Sequence, residues 1–162
     1  MENSHLHDLF VDELKDIFGA EKQLLKGLQK MKKAAQGKQL QTAFENHYVE
    51  TENQIEKLKE VFKSLDLFPR GKKCKAMEGL LEEADEILEE YEGDPAGDAA
   101  LISAAQKVEH YEIASYGCLV TFAKLMNHDK AAEILSEILE EEKTTDVKLT
   151  EIAMSEANLA TV

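Results

Sequence analysis

Four long stretches of the chain repeat apolar residues at alternating spacings of three and four. This spacing places the apolar side chains on one stripe of an α-helix, and in a left-handed four-helix bundle such stripes face one another. The stripes run, in chain order, from Phe10 to Met31, from Leu40 to Leu65, from Leu101 to Met126 and from Ala131 to Ile152. The pattern therefore predicts an all-α protein built on four long helices.

The same periodicity predicts five helical segments, because a shorter one lies between the second and third long stretches. The segments cover residues 4–34, 37–66, 74–92, 98–127 and 129–157. Gly37 separates the first two, and glycine with proline near 69–71 and 93–97 brackets the short segment, since both residue types interrupt helices. No linker is long enough to separate domains, so residues 1–162 are predicted to form one domain.

The short third segment is predicted to be a crossover helix. Two helical hairpins joined in the middle need a connection that returns the chain along the bundle. The segment carries one apolar stripe, formed by Met77, Leu80, Leu81, Ala84, Ile87, Leu88 and Tyr91. This stripe would cover either the chain's own bundle or a second subunit, and the first alternative is favoured.

Each of the four long stripes is apolar at both ends and polar in the middle. Near the midpoints stand Glu21, His47, Glu112 and Glu142, where the pattern calls for apolar residues. If the helices lie side by side, these groups converge at one level of the core. Buried carboxylates must be protonated, paired or bound to a cation. For one residue alone a misassigned helix face is an equal alternative, but four at one depth favour a bound metal.

Three further acidic residues enlarge the candidate metal site. Glu50, Glu109 and Asp146 lie one helical turn from the central residues, where side chains share a helix face. The predicted ligand set then contains six carboxylates and one imidazole. Oxygen-rich sets with little nitrogen suit iron or manganese, and calcium or magnesium less specifically, whereas no thiolate set for a structural zinc is present. The set is large enough for two ions per chain.

The acidic composition excludes several functions. With 33 acidic and 19 basic residues, the formal net charge of −14 repels nucleic acid and anionic membranes. No stretch has the pattern of a signal peptide or a membrane span, and the two cysteines are expected to be free thiols of a cytoplasmic protein. Neither a nucleophilic triad nor a nucleotide-binding glycine loop occurs. Any reaction would therefore belong to the metal.

Five segments also carry a family resemblance, which covers almost the whole chain. They are "IFGAEKQL" (17–24), "HYVETENQIEKL" (47–58), "KCKAMEGLLEEA" (73–84), "AAQKVEHYEIASYG" (104–117) and "EEEKTTDVKLTEIA" (140–153). The chain resembles the YciF-type bacterial stress-protein family, within the ferritin-like di-iron carboxylate superfamily. The resemblance implies a ferritin-like bundle, a cytoplasmic bacterial protein whose expression is linked to stress, and a homodimer.

The ligand pattern of that superfamily carries over unevenly. It consists of a Glu from two helices and a Glu-x-x-His motif from each of the other two. The matching carboxylates are Glu21, Glu50, Glu109, Glu112 and Glu142. Asn53 and Thr145 stand where the superfamily has His, while His47 precedes Glu50 instead of following it. Asp146 is available as a substitute ligand beside Thr145.

Two functional hypotheses follow from these features. The first is a stress-response protein that binds two iron or manganese ions through core carboxylates and oxidises Fe(II) or consumes oxidant. The second is a non-enzymatic, dimeric structural or interaction protein whose metal site is degenerate or empty. The alignment of the carboxylates at one depth favours the first, and the missing His residues favour the second.

Overall fold

The computed structural model describes residues 5–162 and shows five α-helices in this range. They are α1 (His5–Ala34), α2 (Lys38–Ser64), α3 (Lys75–Glu90), α4 (Gly97–Leu125) and α5 (Asp129–Ile152). A π-helical turn over Ala153–Ala157 and a 3-10 turn over Leu159–Thr161 follow α5. No strand occurs in the described part of the chain, so the predicted all-α class is confirmed.

The predicted helix boundaries agree with the observed ones to within two residues, with one exception. The last α-helix ends at Ile152 and not at residue 157, because the backbone widens into the π-helical turn. The start of the first segment at residue 4 lies outside the described residues. Over residues 5–162, none of the helices has both the length and the apolar character that crossing a bilayer requires.

The four long helices form the bundle, with α1 and α2 packed as one hairpin and α4 and α5 as the other. Helix α1 also packs against α4, and α2 against α5. As a result α1 lies diagonally opposite α5, and α2 lies diagonally opposite α4. The polar middles of the four stripes therefore meet on the bundle axis.

The core contains the predicted apolar stripes, with one shift in α4. All seven stripe positions of α1, from Phe10 to Met31, are buried. In α4 the buried face moves by one position after Glu112, so that Tyr116 is buried while Ser115 lies partly exposed. An ideal α-helix drifts relative to a heptad repeat, which accounts for the shift.

Helix α3 is the predicted crossover helix, and it packs on its own bundle against α1 and α4. Met77 and Ala84 are buried beneath it. The loop before α3 lies directly on α1, where the backbone N–H of Lys72 donates a 3.1 Å hydrogen bond to the carbonyl of Lys15. Gly19 permits this approach, because a Cβ there would overlap the carbonyl oxygen of Lys72.

Asp98, in the first turn of α4, ties the two hairpins together at one end of the bundle. Its carboxylate accepts hydrogen bonds from the backbone N–H groups of Gln36, at 2.8 Å, and Gly37, at 2.7 Å. Gly37 is the N-cap of α2 and has no side chain to cap the helix. Asp98 therefore supplies acceptors at the α1–α2 turn and helps to set the register of the bundle helices.

Candidate metal centre

A layer of ionisable side chains crosses the middle of the bundle. His47 comes from α2, Glu109 and Glu112 come from α4, and Glu142 comes from α5. Each residue offers one potential ligand atom, and these atoms lie within 4.8 Å of one another. The exposed fraction is 4% for His47 and 0% for the three carboxylates. The structure thus brings four of the seven predicted ligands into one compact group.

His47 lies between two carboxylates in this group. Its Nδ1 atom is 3.1 Å from Glu109 Oε1, and its Nε2 atom is 3.8 Å from Glu142 Oε2. Neither contact has the geometry of a hydrogen bond, and Nε2 has no hydrogen-bond partner. Burial holds the pKa of His47 below its usual value, although the charge of Glu142 acts in the opposite direction. The lowered pKa favours the neutral imidazole, which is the form that binds metals.

Glu21, on α1, lies at the edge of the same layer. Its Oε1 atom accepts a 2.8 Å hydrogen bond from the hydroxyl of Tyr116, whereas its Oε2 atom has no partner. Burial is the main cause that raises the pKa of Glu21 to about 7, and the charge of Glu142 adds to it. Glu112 and the Tyr116 hydroxyl act to lower this pKa and only partly offset the burial.

Glu109 and Glu112 have no hydrogen-bond partner for any of their carboxylate oxygens. Burial raises the pKa of both groups well above the usual value, and the neighbouring Glu142 raises it further. Carboxylates this close together cannot all be ionised in a core that lacks a compensating positive charge. The layer must therefore hold either protons or a cation.

Glu50 and Asp146 lie beside this layer and not in it. Thr145 Oγ1 donates a 3.0 Å hydrogen bond to Glu50 Oε1, and burial raises the pKa of Glu50. Asp146 points towards α4, with its Oδ2 atom 3.2 Å from His110 Nε2 and its Oδ1 atom accepting from Gln106 Nε2 at 3.3 Å. The His110 side chain is 69% exposed. The partners of Asp146 thus lie on the outer side of the bundle.

Three polar residues outside the predicted ligand set also belong to this region. Tyr116 is the hydrogen-bond partner of Glu21, and its position four residues after Glu112, one helical turn away, was the available signal. Thr51 and Gln54 interrupt the apolar stripe of α2 and are fully buried. Thr51 Oγ1 and Gln54 Oε1 both lack hydrogen-bond partners. Their position on an otherwise apolar stripe was the sequence signal that Thr51 and Gln54 belong to this polar region.

The buried atoms without partners concentrate in this one layer. In residues 5–162, eleven buried side-chain nitrogen and oxygen atoms have no hydrogen-bond partner. Eight of them belong to Glu21, His47, Glu109, Glu112 and Glu142. These atoms are carboxylate oxygens and one ring nitrogen, which are ligand atoms that iron and manganese bind. The donor set and its convergence therefore fit a transition-metal ion.

Comparison with known proteins gives one family over almost the whole chain. The family model described as a domain of unknown function, DUF892, matches residues 5–161. Protein YciF of Escherichia coli (strain K12) is 49% identical over 154 residues, which cover 94% of this chain and 93% of YciF.

Solved structures give the same result. The crystal structure of the E. coli stress protein YciF matches with a TM-score of 0.91 at 48% identity, covering 98% of this chain and 99% of that one. YcfI, a putative structural protein from Rhodopseudomonas palustris, matches with a TM-score of 0.88 at 41% identity, covering 92% of this chain and 95% of that one. The predicted YciF-type resemblance is confirmed in both sequence and fold.

Proposed function

Because the chain belongs to the DUF892 family and is a homologue of YciF, we propose that it is a bacterial stress protein whose bundle core binds iron or manganese. One observation carries the proposal, namely that most of the unpartnered buried polar atoms converge in a single layer. A bound cation would satisfy these atoms together and offset the repulsion between the carboxylates.

The residues divide into a central set and an extension. His47, Glu109, Glu112 and Glu142 would hold one ion, and Glu21 with Glu50 would extend the site for a second. Iron held by these residues would supply redox chemistry, namely the oxidation of Fe(II) with oxygen or peroxide as the electron acceptor.

Two tasks fall to the protein's own side chains in this proposal. Tyr116 holds Glu21 in place by its hydrogen bond. Glu109 and Glu112 release their protons as an ion binds, since metal ligands must be deprotonated.

Elemental analysis of the chelator-free protein tests the proposal, before and after anaerobic loading with Fe(II) and desalting. The expected result for the wild type is about two iron or manganese ions per chain, the stoichiometry of related carboxylate bundles. Glu142→Gln keeps the shape of the side chain but removes an anionic ligand, so it should lose most of the metal. Asp146→Asn is the matched control, because Asp146 contacts His110 and Gln106 and should be dispensable. Equal metal contents in wild type and Glu142→Gln would contradict the proposal.

A non-enzymatic structural or interaction protein is the second candidate function. Thr145, which stands where the superfamily has a His ligand, is already engaged with Glu50, and the R. palustris relative is described as a putative structural protein. If this candidate is right, the wild type retains no metal even after anaerobic loading, and the core carboxylates remain protonated. The same elemental analysis therefore separates the two functions.

We also propose that the protein is a cytoplasmic homodimer that binds neither nucleic acid nor membranes. The support is the family resemblance for the dimer and the net charge of −14 for the two exclusions. Light scattering on the purified protein should give twice the mass of one chain, and a monomeric mass would contradict the dimer.

A further inference from the structure

A groove of about 550 Å³ lies between α2 and α5, beside the buried layer. Its lining includes four carboxylates, from Glu50, Glu56, Glu60 and Glu141, and one positive charge, from Lys57. Acidic clefts with low-dielectric walls concentrate the field and raise the local concentration of cations. The groove is therefore electrostatically suited to attract a divalent cation.

The inner wall of the groove reaches the candidate metal centre through Glu50. On α2, Glu50 follows His47 by one helical turn, and on α5 its hydrogen-bond partner Thr145 follows Glu142 by one turn. His47 and Glu142 themselves approach to 3.8 Å across the same pair of helices. The Glu50–Thr145 pair therefore lies one turn from the buried ligands, and Glu50 also lines the groove.

A buried side chain behind the groove wall also has an atom that could bind a cation. Gln54 is fully buried, and its Nε2 atom donates a 3.1 Å hydrogen bond to Glu141 Oε2 in the groove wall. The Oε1 atom of the same amide has no partner. A buried amide oxygen without a hydrogen bond is a ligand that hard cations accept.

Lys57 already places a positive charge in this groove. Its ammonium group binds Glu141 Oε1 and lies 3.5 Å from Glu137 Oε2, and the side chains of Lys57 and Glu141 are 29% and 30% exposed. These groups are therefore accessible from solvent, unlike the fully buried ligands. An arriving cation would meet Glu141 first and would have to compete with the lysine for it.

Entry along the bundle axis is blocked at both ends by apolar side chains. Phe10 and Leu14 fill one end of α1's stripe, and Leu28 and Met31 fill the other, each with at most 1% exposure. A hydrated ion on this path would lose its water without gaining ligands. A lateral path lined by carboxylates avoids that cost.

We propose that the groove between α2 and α5 is the route by which divalent cations enter the buried centre, with Glu141 as the capture residue and Glu50 as the transfer residue. The inference rests on the proposed metal-binding function and adds the path to it. Lys57 competes with an arriving cation, because its ammonium group pairs with Glu141 when no ion is passing.

Stopped-flow uptake of Co²⁺ by the full-length, metal-free protein tests the route, with the visible absorption of bound Co²⁺ as the signal. Glu141→Gln should lower the association rate constant by about 3- to 10-fold, within the range of electrostatic steering. Lys57→Gln should raise it, and raising the salt concentration should reduce the difference between the variants. Glu140→Gln is the matched control, since Glu140 is the adjacent residue on α5, is exposed and pairs with Lys143.

Each outcome decides the question. An association rate that falls in Glu141→Gln, rises in Lys57→Gln and stays unchanged in Glu140→Gln supports the route. Equal rates in Glu141→Gln and Glu140→Gln would overturn it, as would a change confined to the dissociation rate. If the wild type takes up no Co²⁺ at equilibrium, the proposed metal-binding function fails and the route falls with it. Circular-dichroism melting curves verify that the variants remain folded.

Discussion

Tyr116 on α4 and Glu21 on α1 are joined by a 2.8 Å hydrogen bond inside a fully buried core. This bond links the two hairpins at the level of the candidate metal centre, and the tyrosine hydroxyl is the donor. The other carboxylate oxygen of Glu21 has no partner. Tyr116 therefore gives the buried carboxyl group of Glu21 a hydrogen-bond donor that it would otherwise lack.

Tyr116→Phe should destabilise the metal-free protein by about 1–3 kcal/mol, because it leaves a buried carboxyl group without a donor. The pKa of Glu21 should rise above its present value of about 7, since the Tyr116 hydroxyl acts to lower it. Urea unfolding at constant pH measures the stability change. Tyr48→Phe is the matched control, because Tyr48 is only partly buried and packs at the rim of the core. Equal losses in the two variants would contradict a specific role for the Tyr116 hydroxyl.

The stability of the metal-free protein should fall as the pH rises from 6.5 to 8.5. Glu21, Glu109 and Glu112 have raised pKa values in the folded state, so the folded chain binds more protons than the unfolded chain above pH 4.5. For Glu21, a shift from 4.5 to about 7 corresponds to about 3 kcal/mol, most of which is lost as the pH rises from 4.5 to about 7, so that the loss above pH 6.5 comes mainly from Glu109 and Glu112. Urea unfolding with chelator present measures the slope.

His47 acts in the opposite direction at lower pH. Its pKa is lowered in the folded state, so its contribution is present above 6.5 and is lost as the pH falls below that value. As the pH rises above 6.5 this opposing contribution of His47 to the slope fades, and the carboxylates dominate it. Glu112→Gln should reduce the slope and Glu140→Gln should leave it unchanged. A stability that rises with pH in this window would show that the core carboxylates are not protonated.

Gly19→Ala should destabilise the protein by about 1–3 kcal/mol, because the new methyl group overlaps the backbone carbonyl of Lys72, which cannot rotate away. Gly79→Ala, within α3, is the matched control. A Cβ at Gly79 meets nothing within 4 Å, so the better helix propensity of alanine should stabilise the protein by about 0.5–1 kcal/mol. Thermal unfolding gives both signs, and a stabilising Gly19→Ala would contradict the close approach of the loop.

The two free cysteines should differ sharply in reactivity. Cys118 is exposed, whereas Cys74 is fully buried, lies 3.0 Å from the hydroxyl of Tyr111 and has a pKa raised by burial. A thiol reagent such as Ellman's should modify Cys118 quickly and Cys74 only after denaturation. Cys118→Ser should abolish the fast reaction. A fast reaction that persists in this variant would mean that the start of α3 opens in the native state.

The helices and the level of the site were predictable because both depend on local periodicity. An apolar repeat determines which face of each helix is buried, and a polar residue at the midpoint of that face must lie near the bundle centre. This reasoning located Glu21, His47, Glu112 and Glu142, all of which are fully or almost fully buried at that level. It required no knowledge of which helices are neighbours.

Asp146 and Tyr116 show where local periodicity was insufficient. Each residue along an α-helix is rotated by about 100°, so once Thr145 occupies the buried stripe of α5, Asp146 points to the side, where α4 presents His110. On α4 the buried face drifts by one position after Glu112, which brings Tyr116 into the core. The positions of Asp146 and Tyr116 depend on how each helix is rotated about its axis relative to its neighbours. The apolar pattern of one helix does not determine this rotation.

The division of the candidate ligands between the two hairpins has a consequence for assembly. The α1–α2 hairpin contributes Glu21 and His47, and the α4–α5 hairpin contributes Glu109, Glu112 and Glu142. Neither hairpin alone holds the full set, so a bound ion would favour only the state in which the hairpins are docked. The bound centre would therefore hold the two hairpins together. Its removal would weaken the contact between the hairpins before it unfolds any single helix.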